Sequence, residues 1–444
     1  MPKVSVIMPS LNVGPYIREC LESVVNQTLK NIEILCVDAG STDGTEDVIR
    51  EYAARDARVS FIHSDIRSYG YQVNLGLRRA QGEYVAVLET DDFVAPDMYE
   101  YLYELAVAND TDITKADFDR FTTMTTGAKV FTTQRLFDKA PEYYNRVIRP
   151  REVDILFVYD FFLWKGIYKR QFILDHDIRL NESPGAAFQD MGFMNQVLSF
   201  ADRAIYSDRS LYRYRVDRDE ASTYSPKVLG YGMGEFKWLM ERFDEGRALY
   251  ERGMYIHMLN SFWGELYSAL QAVDCDYDSP YIAEAYDWYW DKLSSAIDRG
   301  IIEPVTDSVD GHGEQVMMGR KQQLEEVEQI LEYKRKKQER TRKLTKDFPD
   351  RAFIIFGAGR RGQGYIRELD GAVKLLALTD NSSNLWGSDI YGYEVLSPTD
   401  CVSRYPEAVY LIANKDHGTQ IEAQLTAAGV TKEHILVNYL SDNN

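Results

Sequence analysis

The chain has 444 residues, of which 45% are hydrophobic and 27% are charged, and its formal net charge is −19 at pH 7. At about 150 residues per domain, this length predicts about three domains with cores of ordinary size. The strong negative charge argues against a general nucleic-acid binder, because a phosphate backbone would be repelled.

Cysteine and histidine usage points to a reducing compartment without a zinc site. The four cysteines are scattered and form no CxxC pair, and the six histidines show no HxxxH or HExxH arrangement. The apolar stretch at the amino terminus is too short for a signal peptide, because polar residues follow it early. No apolar run approaches the length of about 20 residues that a transmembrane helix needs. We therefore expect a soluble, cytoplasmic protein.

The first 120 residues alternate short β-branched runs with stretches of helical periodicity. The predicted strands are Lys3–Met8, Ile32–Val37, Val59–His63, Tyr84–Leu88 and Asp112–Lys115. The predicted helices are Pro15–Gln27, the stretch capped at Ser41 that ends at Tyr52, Gln72–Ala80 and Pro96–Ala108. Such alternation predicts an α/β fold with a mostly parallel, Rossmann-like sheet and helices on both faces. Ligands bind beyond the carboxyl ends of such strands, so Asp38, His63 and the carboxylates after Leu88 should converge on one crevice.

The rest of the chain divides into a helical region and a second α/β unit. We expect domains at residues 1–224, 225–347 and 348–444. The helical region ends in Lys334–Lys346, where eight basic residues oppose Glu339 for a local charge of +7. This run is interpreted either as a solvated linker helix or as a patch that contacts anionic lipid at the membrane. The helical region itself is interpreted as core packing, a spacer or a homo-oligomer interface.

Three carboxylates follow the apolar strand Tyr84–Leu88 within four residues, in Glu89-Thr90-Asp91-Asp92. Like charges at this spacing repel, so a cation is expected among them. Oxygen ligands of this kind suit Mg²⁺, which takes one or two carboxylates together with substrate phosphates. The alternative is that Asp92 or Asp97 only caps the helix near Pro96.

Four ordered motifs make the amino-terminal half similar to the family-two glycosyltransferases of the GT-A fold. They are KVSVIMPSLN, ILCVDAGSTDGT, AQGEYVAVLETDD and FQDMGF, within roughly residues 1–219. The resemblance implies inverting transfer of a sugar from a nucleotide-sugar donor. It implies that Asp91 and Asp92 are the metal end of the family's DxD signature, which holds Mg²⁺ or Mn²⁺ on the donor diphosphate.

The resemblance also suggests roles for single residues. Those expected on the donor are Pro9, Ser10, Asn12, Asp38, Glu89, Asp91, Arg213 and Arg215, where Asp38 receives the base and the arginines pair with the diphosphate. Asp190 matches the family's catalytic base. Trp164 and Lys165 are expected on the acceptor side. The alternatives are a helix cap at Asp190, a core position for Trp164 and surface salt bridges for the arginines.

Three positions depart from the family pattern. Ala39 stands where a second acid usually follows Asp38, Glu89 replaces the first Asp of the signature, and Gln189 replaces a common Glu before the base. These changes leave the expected metal ligands and the base in place, so activity remains the favoured interpretation.

A second glycine-rich loop opens the carboxy-terminal unit. Gly357, Gly359 and Gly362 follow a predicted strand, Ala352–Phe356, and Asp380 lies 18 residues after Gly362. This context resembles a dinucleotide fingerprint, in which the acid binds a ribose. The alternative, slightly favoured, is a Rossmann-like module that serves packing or assembly.

The leading hypothesis is a metal-dependent inverting hexosyltransferase that acts in bacterial surface polysaccharide assembly. Its expected donor is a UDP-sugar, and its expected acceptor is a hydroxyl of a glycan or of a lipid-linked acceptor. The alternative is a catalytically dead scaffold that binds a nucleotide through its carboxy-terminal module. An NAD-dependent oxidoreductase is disfavoured, because only about 80 residues follow the loop and a catalytic domain is lacking. The sequence leaves the sugar, the acceptor and the linkage undetermined.

Overall fold

The computed structural model describes residues 1–217, 227–244, 251–272, 279–303, 305–306, 315–316, 332, 335–336, 338–414, 417–437 and 439–440. The chain forms two compact units. The first contains Met1–Arg120 and Thr132–Gln323, and the second contains Phe121–Phe131 and Leu324–Asn444. None of the helices in the described part of the chain has the length and apolar composition that a membrane span requires.

The first unit is an α/β structure built on a ten-stranded sheet. Its strands are β1 (Val4–Ser10), β2 (Ile32–Asp38), β3 (Val59–His63), β4 (Tyr84–Val87), β5 (Phe93–Val94), β6 (Ile113–Thr123), β7 (Lys129–Gln134), β8 (Val147–Ile148), β9 (Gly166–Lys169) and β10 (Ala204–Arg215). The strand order is β3-β2-β1-β4-β9-β6-β10-β5, with β7 beside β6 and β8 beside β10. The first four strands of this order are parallel, as predicted. Beyond β4, the pairings of β9 with β4 and β6 and those of β10 with β5 and β8 are antiparallel.

Helices cover this sheet and form a further bundle. They are α1 (Gly14–Val25), α2 (Thr45–Arg55), α3 (Tyr69–Arg79), α4 (Met98–Asn109), α5 (Ile155–Tyr159), α6 (Arg170–Asp175), α7 (Gln189–Phe200), α8 (Val228–Asp244), α9 (Glu251–Ala272) and α10 (Pro280–Asp298). In α1, Pro15 occupies the first turn, and Ile17, Cys20, Leu21 and Val24 are buried at helical spacing. The helices α8 to α10 belong to the first unit. The two units do not test the expected division into three domains, which therefore stays a prediction.

The register of the parallel strands aligns their carboxyl ends. Ser10 pairs with Asp38, and Asp38 pairs with His63. On the other side of β1, Ile7 pairs with Val87, two residues before Glu89. The strand ends named in the sequence analysis therefore lie along one edge of the sheet, where a ligand crevice is expected.

The second unit contains a smaller, six-stranded sheet. Its elements are β13 (Ala352–Phe356), α11 (Arg360–Leu369), β14 (Lys374–Thr379), β15 (Asp389–Ile390), β16 (Tyr393–Leu396), α12 (Pro398–Arg404), β17 (Val409–Ile412), α13 (Gly418–Ala427) and β18 (Ile435–Val437). The strand order is β15-β16-β14-β13-β17-β18, and every pair except β15 with β16 is parallel. Two short antiparallel strands, β11 (Val305–Thr306) and β12 (Gln315–Val316), precede this unit.

The tip of the β6–β7 hairpin, Phe121–Phe131, belongs to the second unit. Met124 and Val130 are buried in the core that the carboxy-terminal sheet builds. The Thr125 backbone N–H donates a 2.9 Å hydrogen bond to the Asp370 carboxylate. The second unit is therefore assembled from two distant stretches of sequence, which the sequence did not indicate.

Candidate active site

Asp38 fixes the loop that follows β2. Its Oδ2 accepts hydrogen bonds from the Ser10 hydroxyl at 2.9 Å and the Ser41 hydroxyl at 2.6 Å. Its Oδ1 accepts the backbone N–H groups of Gly40 and Ser41. The side chain is fully buried. These four contacts favour a loop-holding role, and direct contact of Asp38 with a nucleotide base stays a prediction.

Asn12 and Pro9 connect the end of β1 to the neighbouring loops. Asn12 adopts a left-handed backbone with φ of 53°, and its side-chain oxygen accepts the Thr42 N–H at 2.9 Å. The Pro9 carbonyl accepts the Thr90 hydroxyl at 2.8 Å. Pro9 therefore helps to hold the segment that carries the carboxylate cluster.

Asp92 is the anchored member of that cluster. Its side chain is almost fully buried, Oδ2 accepts the Tyr212 hydroxyl at 2.8 Å, and Oδ1 accepts the Arg215 backbone N–H at 2.7 Å. Burial, and then the nearby charge of Asp91, raise the pKa of Asp92 well above its ordinary value, although both hydrogen bonds act in the opposite direction.

Asp91 and Glu89 are more exposed than Asp92. Both are partly buried. The Arg215 guanidinium donates from Nε to the Asp91 carbonyl at 2.9 Å, and the Tyr69 hydroxyl donates to Glu89 Oε1 at 2.5 Å. Of the two aspartates predicted as metal ligands, Asp91 is thus the better placed to present its carboxylate at the surface of the site.

A divalent cation fits this set of oxygen donors. Within the described residues, no three His, Cys, Asp or Glu side chains are grouped so as to hold a metal. Mg²⁺ does not require such a group, because it commonly uses one or two carboxylates and takes its remaining ligands from water and substrate phosphates.

Asp190 lies in the first turn of α7, two residues after the left-handed residue Phe188, whose φ is 66°. Its Oδ1 accepts the Met191 N–H at 3.0 Å. The side chain is half-buried. Burial raises the pKa of Asp190 to about 6, although the Met191 N–H lowers it. A carboxylate with this pKa accepts protons near neutral pH, as a general base requires.

The pKa values of Tyr69 and Tyr214 respond to the charges of both Asp190 and the carboxylate cluster. Burial raises the pKa of Tyr69 well above its ordinary value, and the charges of Glu89 and Asp190 raise it further. The pKa of Tyr214 is raised by burial and then by Asp92, Asp91, Glu89 and Asp190. Both phenols therefore lie within the electrostatic reach of the two groups of carboxylates.

Arg213 and Arg215 are engaged with protein carboxylates. The Arg213 guanidinium lies 3.0 Å from Asp119, and that of Arg215 lies 3.1 Å from Glu19. The Arg215 side chain is only 8% exposed. These contacts favour a structural role, so pairing with a donor diphosphate stays a prediction.

Trp164 packs among aromatic side chains. Its ring stacks on Tyr212 at 4.3 Å and on Tyr214 at 5.0 Å between centroids, and Phe118 meets its edge at 4.9 Å. Only 4% of the residue is exposed. These contacts favour the alternative interpretation of Trp164 as a core residue that supports Tyr212, and an acceptor contact stays a prediction.

Lys165 belongs to a buried ionic cluster. Its Nζ lies 3.0 Å from Asp160 Oδ1, and Lys115 Nζ lies 2.7 Å from the same oxygen. The Tyr206 hydroxyl donates to Asp160 Oδ2 at 2.7 Å. Burial lowers the pKa of Lys115 to about 7, although Asp160 opposes this effect. The cluster places Lys165 inside the protein, and an acceptor contact for it stays a prediction.

The glycine-rich loop of the second unit has the backbone features of a tight turn. Gly357 has φ of 115°, and a Cβ on Gly362 would lie 1.7 Å from the Gly357 carbonyl oxygen. The Asp380 carboxylate accepts the N–H groups of Ala358 and Ser382, both at 2.8 Å. Asp380 therefore braces the loop, and nucleotide binding by this unit stays a prediction.

Sequence reasoning missed Tyr69 and Tyr212 as parts of the site. The alternation of LYRYR along β10 gives one signal for Tyr212, since residues of a strand point alternately to its two faces. Tyr69 carries no comparable signal, because its contact with Glu89 joins a helix start to a distant strand end.

Two family models and several known proteins are similar to this chain. Residues 5–167 match the family model "Glycosyl transferase family 2", and residues 350–436 match "C2185-like, N-terminal". A fragment of S. aureus TarS in complex with UDP-GlcNAc is 16% identical, with a TM-score of 0.48, over 67% of this chain and 83% of that fragment.

Two relatives from Bacillus subtilis extend the match. The uncharacterized glycosyltransferase EpsJ is 31% identical over 226 residues, which is 48% of this chain and 61% of EpsJ. The putative glycosyltransferase EpsH is 30% identical over 255 residues, which is 56% of this chain and 67% of EpsH. The similarity thus spans about two thirds of the length of these relatives. The chain belongs to glycosyltransferase family 2.

Proposed function

We propose that the protein transfers a hexosyl group, with inversion at the anomeric carbon, from a UDP-sugar to a hydroxyl of a glycan or lipid-linked acceptor. The observation that carries this proposal is that Tyr69, which donates a hydrogen bond to Glu89, also lies within electrostatic reach of Asp190, and that Asp91, Glu89 and Asp190 all act on Tyr214. A relative that is named for glucosyl transfer supports the proposal: the poly(ribitol-phosphate) beta-glucosyltransferase of Bacillus spizizenii is 34% identical over 116 residues, 25% of this chain and 18% of that protein.

The donor half of the site depends on the anchoring of Asp92. Tyr212 and the Arg215 backbone fix Asp92, which holds the adjacent Asp91 in position. Asp91 would hold a Mg²⁺ or Mn²⁺ ion, with Glu89 nearby. The bound cation supplies charge neutralisation to the departing diphosphate.

The acceptor half of the site depends on Asp190. The acceptor hydroxyl oxygen attacks the anomeric carbon, the bond from that carbon to the diphosphate oxygen breaks, and the nucleoside diphosphate leaves. The proton of the hydroxyl moves to the Asp190 carboxylate. A pKa of about 6 keeps most Asp190 side chains ionised at pH 7 while leaving them basic enough to assist this transfer.

The test is calorimetry with UDP-, GDP- and dTDP-sugars, each with and without Mn²⁺. We expect metal-dependent binding of a UDP-sugar that is lost in Asp91→Ala and retained in the control Asp47→Ala, which removes an exposed carboxylate from α2. Transfer to acceptor, followed by release of UDP, should disappear in Asp190→Asn while donor binding persists.

Other outcomes would redirect the proposal. Metal-independent binding that survives Asp91→Ala would point to the loop at Gly357 and favour the nucleotide-binding scaffold. Donor hydrolysis that is unchanged in the double variant Asp91→Ala, Asp92→Ala would contradict the role of the cluster.

A membrane contact through residues 334–346 remains part of the proposal. Lys334 and Lys337 lie outside the described residues, whereas Arg335, Lys336 and Lys343 are exposed. Exposed cations of this kind bind anionic lipid head groups. Flotation with vesicles that contain anionic lipid should recover the protein, and equal recovery with neutral vesicles would contradict the contact.

A further inference from the structure

A cavity of about 680 Å³ lies in the first unit among α3, α6, α8 and residues 177–183. Its lining includes Arg78, Arg170, Arg179, Asn181 and Trp238, and we call it the arginine cavity. Its volume falls in the range of about 300–1,000 Å³ that is typical of small-molecule sites.

The two acidic residues of the lining already face cations. Glu182 lies 3.6 Å from the Arg78 guanidinium and accepts the Asn74 side-chain amide at 3.0 Å. Asp177 lies 4.0 Å from the buried Arg242 guanidinium. The lining carboxylates are therefore largely neutralised by Arg78 and Arg242.

Arg170 and Arg179, by contrast, face no carboxylate that would neutralise their charge among the described residues. In the described part of the chain, the buried Nε of Arg170 has no hydrogen-bond partner. Arg179 is exposed, and its guanidinium has no hydrogen bond or ion pair with any described residue. A guanidinium that lines a cavity without a carboxylate partner favours an anionic ligand there, because charge-assisted hydrogen bonds to carboxylate or phosphate oxygens are strong. This local excess of positive charge stands out in a chain of net charge −19.

The remaining lining suits a sugar ring. Trp238 is partly exposed and lines the cavity together with Leu77 and Ile178, and the Arg242 guanidinium lies 5.1 Å from the centroid of its indole ring. Asn181 donates its side-chain amide to Glu235, which fixes one wall. An aromatic face binds the apolar face of a sugar, while guanidinium groups bind carboxylate or phosphate oxygens.

The lining of the cavity reaches from Arg78, near the end of α3, to Ser183, near the predicted base. Tyr69, which binds Glu89, begins α3, and Arg78 follows nine residues later, about 14 Å along the helix. On the other side, Ser183 lines the cavity, and its hydroxyl accepts the side-chain amide of Gln189, the neighbour of Asp190. An extended glycan, rather than a single sugar, would reach from the carboxylate at Tyr69 to the Arg78 end of the cavity.

We propose that the arginine cavity binds an anionic saccharide segment, carrying carboxylate or phosphate groups, through Arg170, Arg179 and Trp238. Its role as a distal acceptor site rests on the proposed transferase function, whereas the binding itself does not.

The test is calorimetry of the full-length protein with three probes: a chondroitin tetrasaccharide, a glycerol phosphate tetramer and neutral chitotetraose. We expect an anionic probe to bind at least about tenfold more tightly than chitotetraose. The double variant Arg170→Gln, Arg179→Gln should weaken that binding about tenfold or more. The matched control is Arg50→Gln, Arg55→Gln, which removes the same charge from α2, outside the cavity.

The affinities of the two anionic probes show which anion the cavity binds. Tighter binding of the chondroitin tetrasaccharide indicates a uronate polymer, and tighter binding of the glycerol phosphate tetramer indicates a phosphate polymer. Equal binding of anionic and neutral probes, or equal weakening by the control variant, would overturn the proposal. If the double variant does not fold, the single variant Arg179→Gln, at an exposed side chain, provides the same comparison.

The UDP-sugar calorimetry keeps the two proposals distinguishable. In one outcome, the cavity variant loses binding of the anionic probe and keeps its metal-dependent binding of the UDP-sugar. This result would support an anion site in the cavity that is separate from the donor site. Absence of UDP-sugar binding in the wild type counts against the transferase proposal and leaves the cavity result standing.

Discussion

Replacing Asp190 with asparagine should stabilise the first unit at neutral pH. The structure holds this carboxyl half-buried, and burial raises its pKa from 3.8 to about 6. The folded state therefore disfavours the ionised form that dominates at pH 7.5. Asparagine removes the charge and keeps an oxygen that can accept the Met191 N–H.

The pKa difference sets the size of this effect. A change from 3.8 to about 6 corresponds to about 3 kcal/mol between the ionised and protonated forms. Between these two pH values the folded state binds more protons than the unfolded state, so stability falls as pH rises. The full cost applies above pH 6, about half remains at pH 5, and it vanishes well below pH 4. After allowance for the weaker hydrogen bond of a neutral amide, we expect a net gain of about 1–3 kcal/mol at pH 7.5.

Urea unfolding followed by tryptophan fluorescence measures this difference. The gain of Asp190→Asn over the wild type should shrink by about half between pH 7.5 and pH 5. Asp47→Asn, at an exposed carboxyl of α2, is the matched control and should show little change at either pH. A destabilised Asp190→Asn variant, or a gain that does not depend on pH, would refute the reasoning.

Four further predictions follow from the described contacts. The kcat/KM for transfer should fall about tenfold per pH unit below pH 6, because Asp190 must be ionised; a profile without this limb would contradict its role as the base. Trp164→Ala should lose about 3–5 kcal/mol of stability in denaturant titration, since it empties a buried aromatic site; a loss below 1 kcal/mol would place the ring outside the core. Asp160→Asn should cost about 3–5 kcal/mol because the buried side chains of Lys115 and Lys165 lose their carboxylate, whereas Asp202→Asn on the surface should cost far less. Gly362→Ala should lower the melting temperature of the second unit, because its Cβ would meet the Gly357 carbonyl, while Gly364→Ala, which meets nothing within 4 Å, should not.

The parallel half of the first sheet was predictable from the sequence. Runs such as Ile32–Asp38 are buried on both faces, so they read as continuous apolar stretches between helices. The antiparallel half was not predictable in the same way. The strand β6 continues to Thr123, far beyond the predicted end at Lys115, and its polar residues Asp117 and Asp119 are satisfied by distant partners.

The site was predictable as a set of residues but not as a division of roles. Asp91 and Asp92 are adjacent residues of the same type, but they differ in exposure. The Tyr212 hydroxyl and the Arg215 backbone N–H both donate hydrogen bonds to the Asp92 carboxylate and hold it inside the protein. The burial of Lys165 likewise depends on Asp160 and Lys115, which come from separate elements. Such long-range pairings carry no local pattern, so a single sequence could not reveal them.

The hairpin tip Phe121–Phe131 has a consequence for the order of folding during synthesis. The ribosome completes this tip long before it completes β13, whose Phe353 and Ile355 share a core with Met124 and Val130. Until then the apolar side chains of the tip lack their native cover, and a chain truncated before β13 would keep them exposed. Fragments made by one cut between the two units should therefore aggregate more readily than the full chain, and a carboxy-terminal fragment would lack part of its own core.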